Sequence, residues 1–137
     1  MCEKLFRGKR TDNGEWVCGD LLQDVESGIC AIVSYVNLGG NIHDLSESCI
    51  FAVIPETVRQ CTGSMDKNRT KIFEGDIVQA FTRYGTKHIY PIEYRNGTFW
   101  FGNWNWIEFL DGFQFPKVIG NIFDNPELLG GGPNDQM

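Results

Sequence analysis

Apolar residues in this chain come in short runs separated by glycine, proline and asparagine. Cys30-Ala31-Ile32-Val33-Ser34-Tyr35-Val36 is one compact β-branched and aromatic run, and Cys49-Ile50-Phe51-Ala52-Val53-Ile54, stopped by Pro55, is another. In Asp76-Ile77-Val78-Gln79-Ala80-Phe81-Thr82, alternation puts Ile77 and Gln79 on one face and Val78, Ala80 and Thr82 on the other. His88-Ile89-Tyr90-Pro91-Ile92-Glu93-Tyr94 and Thr98-Phe99-Trp100-Phe101 flank Asn96-Gly97. Short runs between turn signals predict strands, and a sustained period of 3.6 is mostly missing.

The turns follow from backbone sterics. A two-residue hairpin turn needs positive φ at both central positions, which Asn and Gly tolerate best. Asn96-Gly97 therefore predicts a hairpin joining 92–95 to 98–101, and Asn13-Gly14 one joining 5–10 to 15–22. Gly39-Gly40 marks a further turn. Pro91 lacks an N–H, which predicts an edge strand or a bulge there. One short C-terminal helical turn is predicted where Asn125 precedes Pro126 and Glu127. A second helical turn is a candidate over 42–48, and the glycine-rich residues 130–137 read as a flexible tail.

Length sets the scale: 137 residues make one ordinary domain or two small lobes, large enough to fold without disulfides or metal. Twelve basic against eighteen acidic side chains give a net charge of −6, which opposes binding of nucleic acid over the whole surface. The first ten residues are an exception, with Lys4, Arg7, Lys9 and Arg10 against Glu3. No apolar run approaches membrane-span length, and the first residues lack the apolar core of a secretory signal, so a cytoplasmic protein is expected. Cysteines at 2, 18, 30, 49 and 61 are odd in number and scattered, which fits free thiols in a reducing compartment.

The chemistry-bearing residues form few constellations. Cysteine spacing lacks the close pairs of a zinc site, and His43 and His88 stand alone, so neither metal nor cofactor is expected. His43-Asp44-Leu45-Ser46 holds the residue types of a hydrolase triad, but near-neighbours cannot form its chain of hydrogen bonds. Glu74, Asp76 and Asp20 would serve a metal-dependent hydrolase if they converged; beside glycines, they more simply accept backbone hydrogen bonds at turns. The unusual segment is aromatic: Phe99, Trp100, Phe101, Trp104, Trp106, Phe109, Phe113 and Phe115 crowd together. Core filling accounts for most of them, with one or two left at a surface groove. Lys67, Arg69 and Lys71 form a small cluster that would contact phosphates or simply solvate a strand face.

Two stretches echo each other: Asn13 to Leu22 and Asn68 to Val78 each read as a polar turn, an apolar pair, a Gly-Asp step and a strand. Such a step is common in SH3-like barrels. Beyond the echo, two signatures stand out: Pro55-Glu56-Thr57-Val58-Arg59-Gln60-Cys61-Thr62-Gly63-Ser64-Met65-Asp66-Lys67-Asn68, running on into Lys71-Ile72-Phe73-Glu74-Gly75-Asp76-Ile77-Val78, and Val118-Ile119-Gly120-Asn121-Ile122-Phe123-Asp124-Asn125-Pro126-Glu127-Leu128-Leu129. With Phe6-Arg7-Gly8-Lys9, they resemble the YopX-like family of phage and prophage proteins over about residues 5–129. The resemblance implies a small, mainly β protein with an SH3-like portion, and carries over no catalytic residue. Two departures stand out. Arg69 replaces the glycine usual after Asn68, and Arg59 stands where the family favours glycine.

The resulting expectation is a mainly β, barrel-type protein with an SH3-like C-terminal portion. Its lobes would cover 1–60 and 61–129 and share one core. It is expected to be a non-enzymatic accessory protein that binds a protein partner through Trp104, Trp106 and Tyr84. The alternative is a nucleic-acid-binding module using Lys67, Arg69, Lys71 and nearby aromatics. No membrane association is expected, and an exposed edge strand would favour homo-oligomers.

Overall fold

A computed structural model describes residues 5–34 and 50–129. The chain is mainly β, and its strands form two antiparallel sheets. The strands are β1 (Phe6–Lys9), β2 (Trp16–Asp24), β3 (Ile29–Val33), β4 (Ile50–Ala52), β5 (Arg59–Met65), β6 (Lys71–Phe73), β7 (Asp76–Thr82), β8 (Lys87–Arg95), β9 (Thr98–Phe101), β10 (Trp104–Asn105) and β11 (Phe113–Asn121). One α-helix, α1 (Trp106–Gly112), and 3-10 turns at Pro55–Thr57 and Pro126–Leu128 complete the described elements. The sheet orders are β4-β3-β2-β1-β5-β6 and β10-β9-β8-β7-β11. Contacts divide the chain into two units, Met1–Cys61 and Thr62–Met137, and β5 carries the chain from one to the other.

In the first unit, β1 to β4 form a meander. Leu21 faces Ile32 across β2 and β3, and their shared face supplies the core: Cys30, Ile32 and Val53, with Phe6, Val17, Leu21 and Val58 packed against them. The hairpin expected at Asn13-Gly14 forms with a longer loop. Arg10 N–H donates to the Glu15 carbonyl, and Asn13 Oδ1 accepts from Glu15 N–H as an Asx turn. Gly8 and Gly19 permit close approach. A Cβ on Gly19 would collide with the Val33 carbonyl oxygen. Buried Thr57 ties the 3-10 turn to β1, its Oγ1 accepting from Lys9 N–H at 2.9 Å and donating to the Ile54 carbonyl.

In the second unit, the alternation read from 76–82 is the one observed. Val78 and Ala80 face a core with Ile72, Ile92, Phe101, Trp106 and Phe109, while Ile77 and Gln79 share the opposite face. Asn96 (φ 53°) and Gly97 (φ 82°) turn β8 into β9, with Arg95 opposite Thr98. Arg69 adopts φ 66° without glycine's freedom, so this turn accepts the arginine. Pro91 corrects an expectation. It lies in β8, between β7 and β9, and so in an interior strand. The Ile92 carbonyl accepts from Gly75 N–H on the β7 side, so the adjacent Pro91 nitrogen faces β9. The missing N–H thus falls at the end of the β8–β9 ladder, beyond the Ile92–Phe101 pair, and the Gly102 carbonyl accepts from Arg95 Nη2 at 2.9 Å.

The two Gly-Asp steps also differ. Gly75 (φ 90°) precedes β7, whereas Gly19 lies inside β2, so the echo is not a repeated structural unit. The predicted C-terminal turn is present, but Asn125 does not cap it; its Oδ1 accepts from Asn121 N–H instead. The turn at 39–40, the helical candidate at 42–48, His43, Cys2, Cys49 and the tail at 130–137 lie outside the described residues.

Candidate functional site

The aromatic segment fills the second core. Asn105 ends β10 and caps α1: its Oδ1 accepts from Glu108 N–H at 2.9 Å, while Glu108 Oε1 accepts from Asn105 N–H at 3.0 Å. The helix thereby lays Trp106 and Phe109 on the sheet face that carries Phe101, with Phe109 4.7 Å from the Phe101 ring and Trp106 4.9 Å from Phe109. Trp106 is only 9% exposed, which corrects its expected role as a surface anchor. Trp104 is half-buried, 5.1 Å from the His88 ring and 5.0 Å from Phe113. Tyr84, in the turn between β7 and β8, is 86% exposed.

Another aromatic side chain, which sequence reasoning had not singled out, reaches the surface beside that turn. β11 pairs with β7 through Phe113–Thr82 and Gln114–Phe81, slips, and resumes at Lys117–Gln79. Phe115 occupies the slip with φ 57° and is 60% exposed. A residue before proline prefers extended backbone, and positive φ crowds any Cβ. Holding Phe115 there costs roughly 1–3 kcal/mol that the surrounding structure must supply. With Phe81, Thr82, Arg83, Gly85 and Gln114, it lines an open depression of about 290 Å³.

Asp66 braces this bulge. Its Oδ1 accepts from Asn68 N–H and Thr70 N–H, and its Oδ2 from Val118 N–H at 2.9 Å. Lys67 N–H also donates to the Pro116 carbonyl at 2.7 Å. Burial alone would raise the Asp66 pKa. The Val118, Thr70 and Asn68 donors, with nearby Lys67, outweigh it and hold the carboxyl below its ordinary value. The turn carrying exposed Lys67 and Arg69 is thus fixed against the segment carrying Phe115 and Lys117, and exposed Lys71 follows it.

Charge is unevenly distributed among the segments around the Phe115 bulge. Residues 65–71, 79–89 and 113–118 hold Lys67, Arg69, Lys71, Arg83, Lys87 and Lys117, six of the chain's twelve cations. They hold one of its eighteen carboxylates, Asp66, which is buried and committed to backbone donors. Lys87 and Gln114 face Phe81, and Lys117 faces Gln79, so these side chains share the sheet face opposite the aromatic core.

Among the described residues, the acidic side chains form no group that would hold a metal. Asp76 is buried and accepts from Phe73 N–H at 2.8 Å, closing the tight turn into β7. Asp20 is exposed in the first unit, whereas Glu74 and Asp76 belong to the second. Among the described residues, no three His, Cys, Asp or Glu side chains are grouped to hold a metal, and Cys30 is a buried free thiol. The two sequence signatures meet instead in a structural knot, where Ile122 N–H donates to the Gly75 carbonyl and Asn121 Oδ1 accepts from Phe123 and Asp124. Gly120 is part of it: a Cβ there would come within 2.6 Å of Asn125 Oδ1.

Comparison with known proteins fits this picture. A family model described as YopX protein matches residues 5–130. Among solved structures, the chain is similar to the crystal structure of protein EF1440 from Enterococcus faecalis. The TM-score is 0.59 at 26% identity, over 94% of this chain and 99% of that one. No curated protein matches.

Proposed function

This chain belongs to the YopX family, and on that premise we propose that it works by contact, as a non-enzymatic accessory protein of a phage or prophage acting in the bacterial cytoplasm. We assign the contact surface to the end of the second sheet, around the β7–β8 turn and the Phe115 bulge, in a lobe we read as SH3-like. The observation that carries this reading is Phe115 itself, an exposed aromatic in a backbone conformation that its own side chain and Pro116 both disfavour. Strain kept at a surface position marks a place where the side chain is needed. Tyr84 and the depression beside Phe115 extend the same surface. The family signatures support this reading from the other side, because their hydrogen bonds are spent on the fold.

Site-specific photocrosslinking in the host cell tests it. A photoreactive residue at Tyr84 should give a discrete adduct, protein or nucleic acid, and one at Val25, 95% exposed in the first unit, should not. No adduct at 84, or an equal yield of the same adduct at 25, overturns the assignment.

A further inference from the structure

We propose that this surface binds single-stranded nucleic acid, an inference that rests on the contact surface proposed above and names its partner. Two independent features select that chemistry. The first is charge. Pairing of β7 with β8 and β11 puts the exposed Lys87 and Lys117 on one sheet face, and the Lys67 to Pro116 hydrogen bond fastens the Lys67 and Arg69 turn beside them. Glu93 follows on the same face of β8, but toward its other end, and is paired with Arg95 at 3.3 Å. The net charge of −6 does not oppose a local site, because at physiological salt carboxylates farther away than roughly 8 Å are largely screened.

The second feature is the exposed rings. Phe115 and Tyr84 offer apolar faces where the cations are, and every base has a face that stacks on such a ring. A duplex keeps its base faces stacked inside and would use the cations alone. A single strand would use both, with phosphates on the lysines and one or two bases against the rings. Phe115's strained backbone then has a purpose, since an extended Phe115 would keep β11 in register with β7 and change the direction of its ring.

The test is fluorescence anisotropy of the full chain with a labelled oligothymidylate of about 12 nucleotides. The expected result is binding at about 50 mM salt that weakens about sevenfold to twentyfold by about 200 mM, as two or three phosphate contacts require. Lys117→Glu and Lys67→Glu should each weaken binding severalfold, and Phe115→Gly about tenfold or more, while Lys9→Glu in the first unit leaves it nearly unchanged. Circular dichroism and urea titration of each variant separate lost binding from lost folding. Equal affinity for a duplex of the same length, or variants at the site no weaker than Lys9→Glu, overturns the proposal. So does an absence of binding at low salt. In that last case a protein adduct at Tyr84 would preserve the contact surface and reassign its partner class, whereas no adduct at all would end both readings.

Discussion

Phe115 and Asp66 illustrate how single residues here divide between contact and scaffold. Phe115 is exposed and its φ is positive, so replacing it with glycine removes strain and little burial. Glycine's greater freedom in the unfolded chain offsets part of that relief. Phe115→Gly should therefore unfold within about 1 kcal/mol of the parent in urea titration, against roughly 3–5 kcal/mol for truncating a buried phenylalanine. Asp66 has the opposite character. Its carboxylate satisfies three backbone donors, and Asp66→Asn should cost roughly 1–3 kcal/mol at neutral pH. The folded-state pKa lies below the ordinary 3.8, so the contribution is complete above that value and is lost as pH falls through the lowered one. Urea titrations of parent and variant should differ by a constant amount above about pH 5 and converge as the pH drops below 3.8.

At the scale of elements, the hairpins were written locally and the helix was not. Asn96-Gly97 states its own turn geometry, and the alternation in 76–82 states its own faces. Helix α1 has seven residues, too few to show a period, and it lies in a segment whose aromatics read equally well as strand. Its signal was the capping box at Asn105 and Glu108, three residues apart at the start of the helix. Asn105→Ala should lower stability by about 1 kcal/mol, measured by thermal or urea unfolding. Local loosening around Trp106 and Phe109 should appear as faster amide exchange in α1. The Phe115 bulge was hidden for a related reason. Phe-Pro announces an interrupted strand, but only pairing with β7 on one side and Asp66 on the other determines which way the chain turns.

Across the whole molecule, the acidic composition conceals a basic region, because the average over 137 residues erases a segregation that the fold creates. Lys87 and Lys117 share one face of the second sheet and Lys67 is fastened beside Pro116, while seventeen of the eighteen carboxylates lie outside residues 65–71, 79–89 and 113–118. Burial is segregated as well. Phe101, fully buried, meets Tyr90, Trp104, Phe109 and Phe113 at ring-centroid distances of 4.7 to 6.4 Å. Phe101→Ala should cost roughly 3–5 kcal/mol, a large share of the roughly 5–15 kcal/mol that holds a protein folded, and the loss should be visible as a fall in the urea midpoint.

The amino-acid order by itself determined the β class, most strand positions, the Asn-Gly hairpin and the family, because each depends on near neighbours whose sterics and alternation act over a few residues. Only the tertiary structure decided which aromatics are enclosed, that Pro91 can occupy an interior strand, and that Lys67, Lys87 and Lys117 meet near Phe115. Those outcomes depend on partners tens of residues away, and pairing register and side-chain burial fix them only when the sheets close.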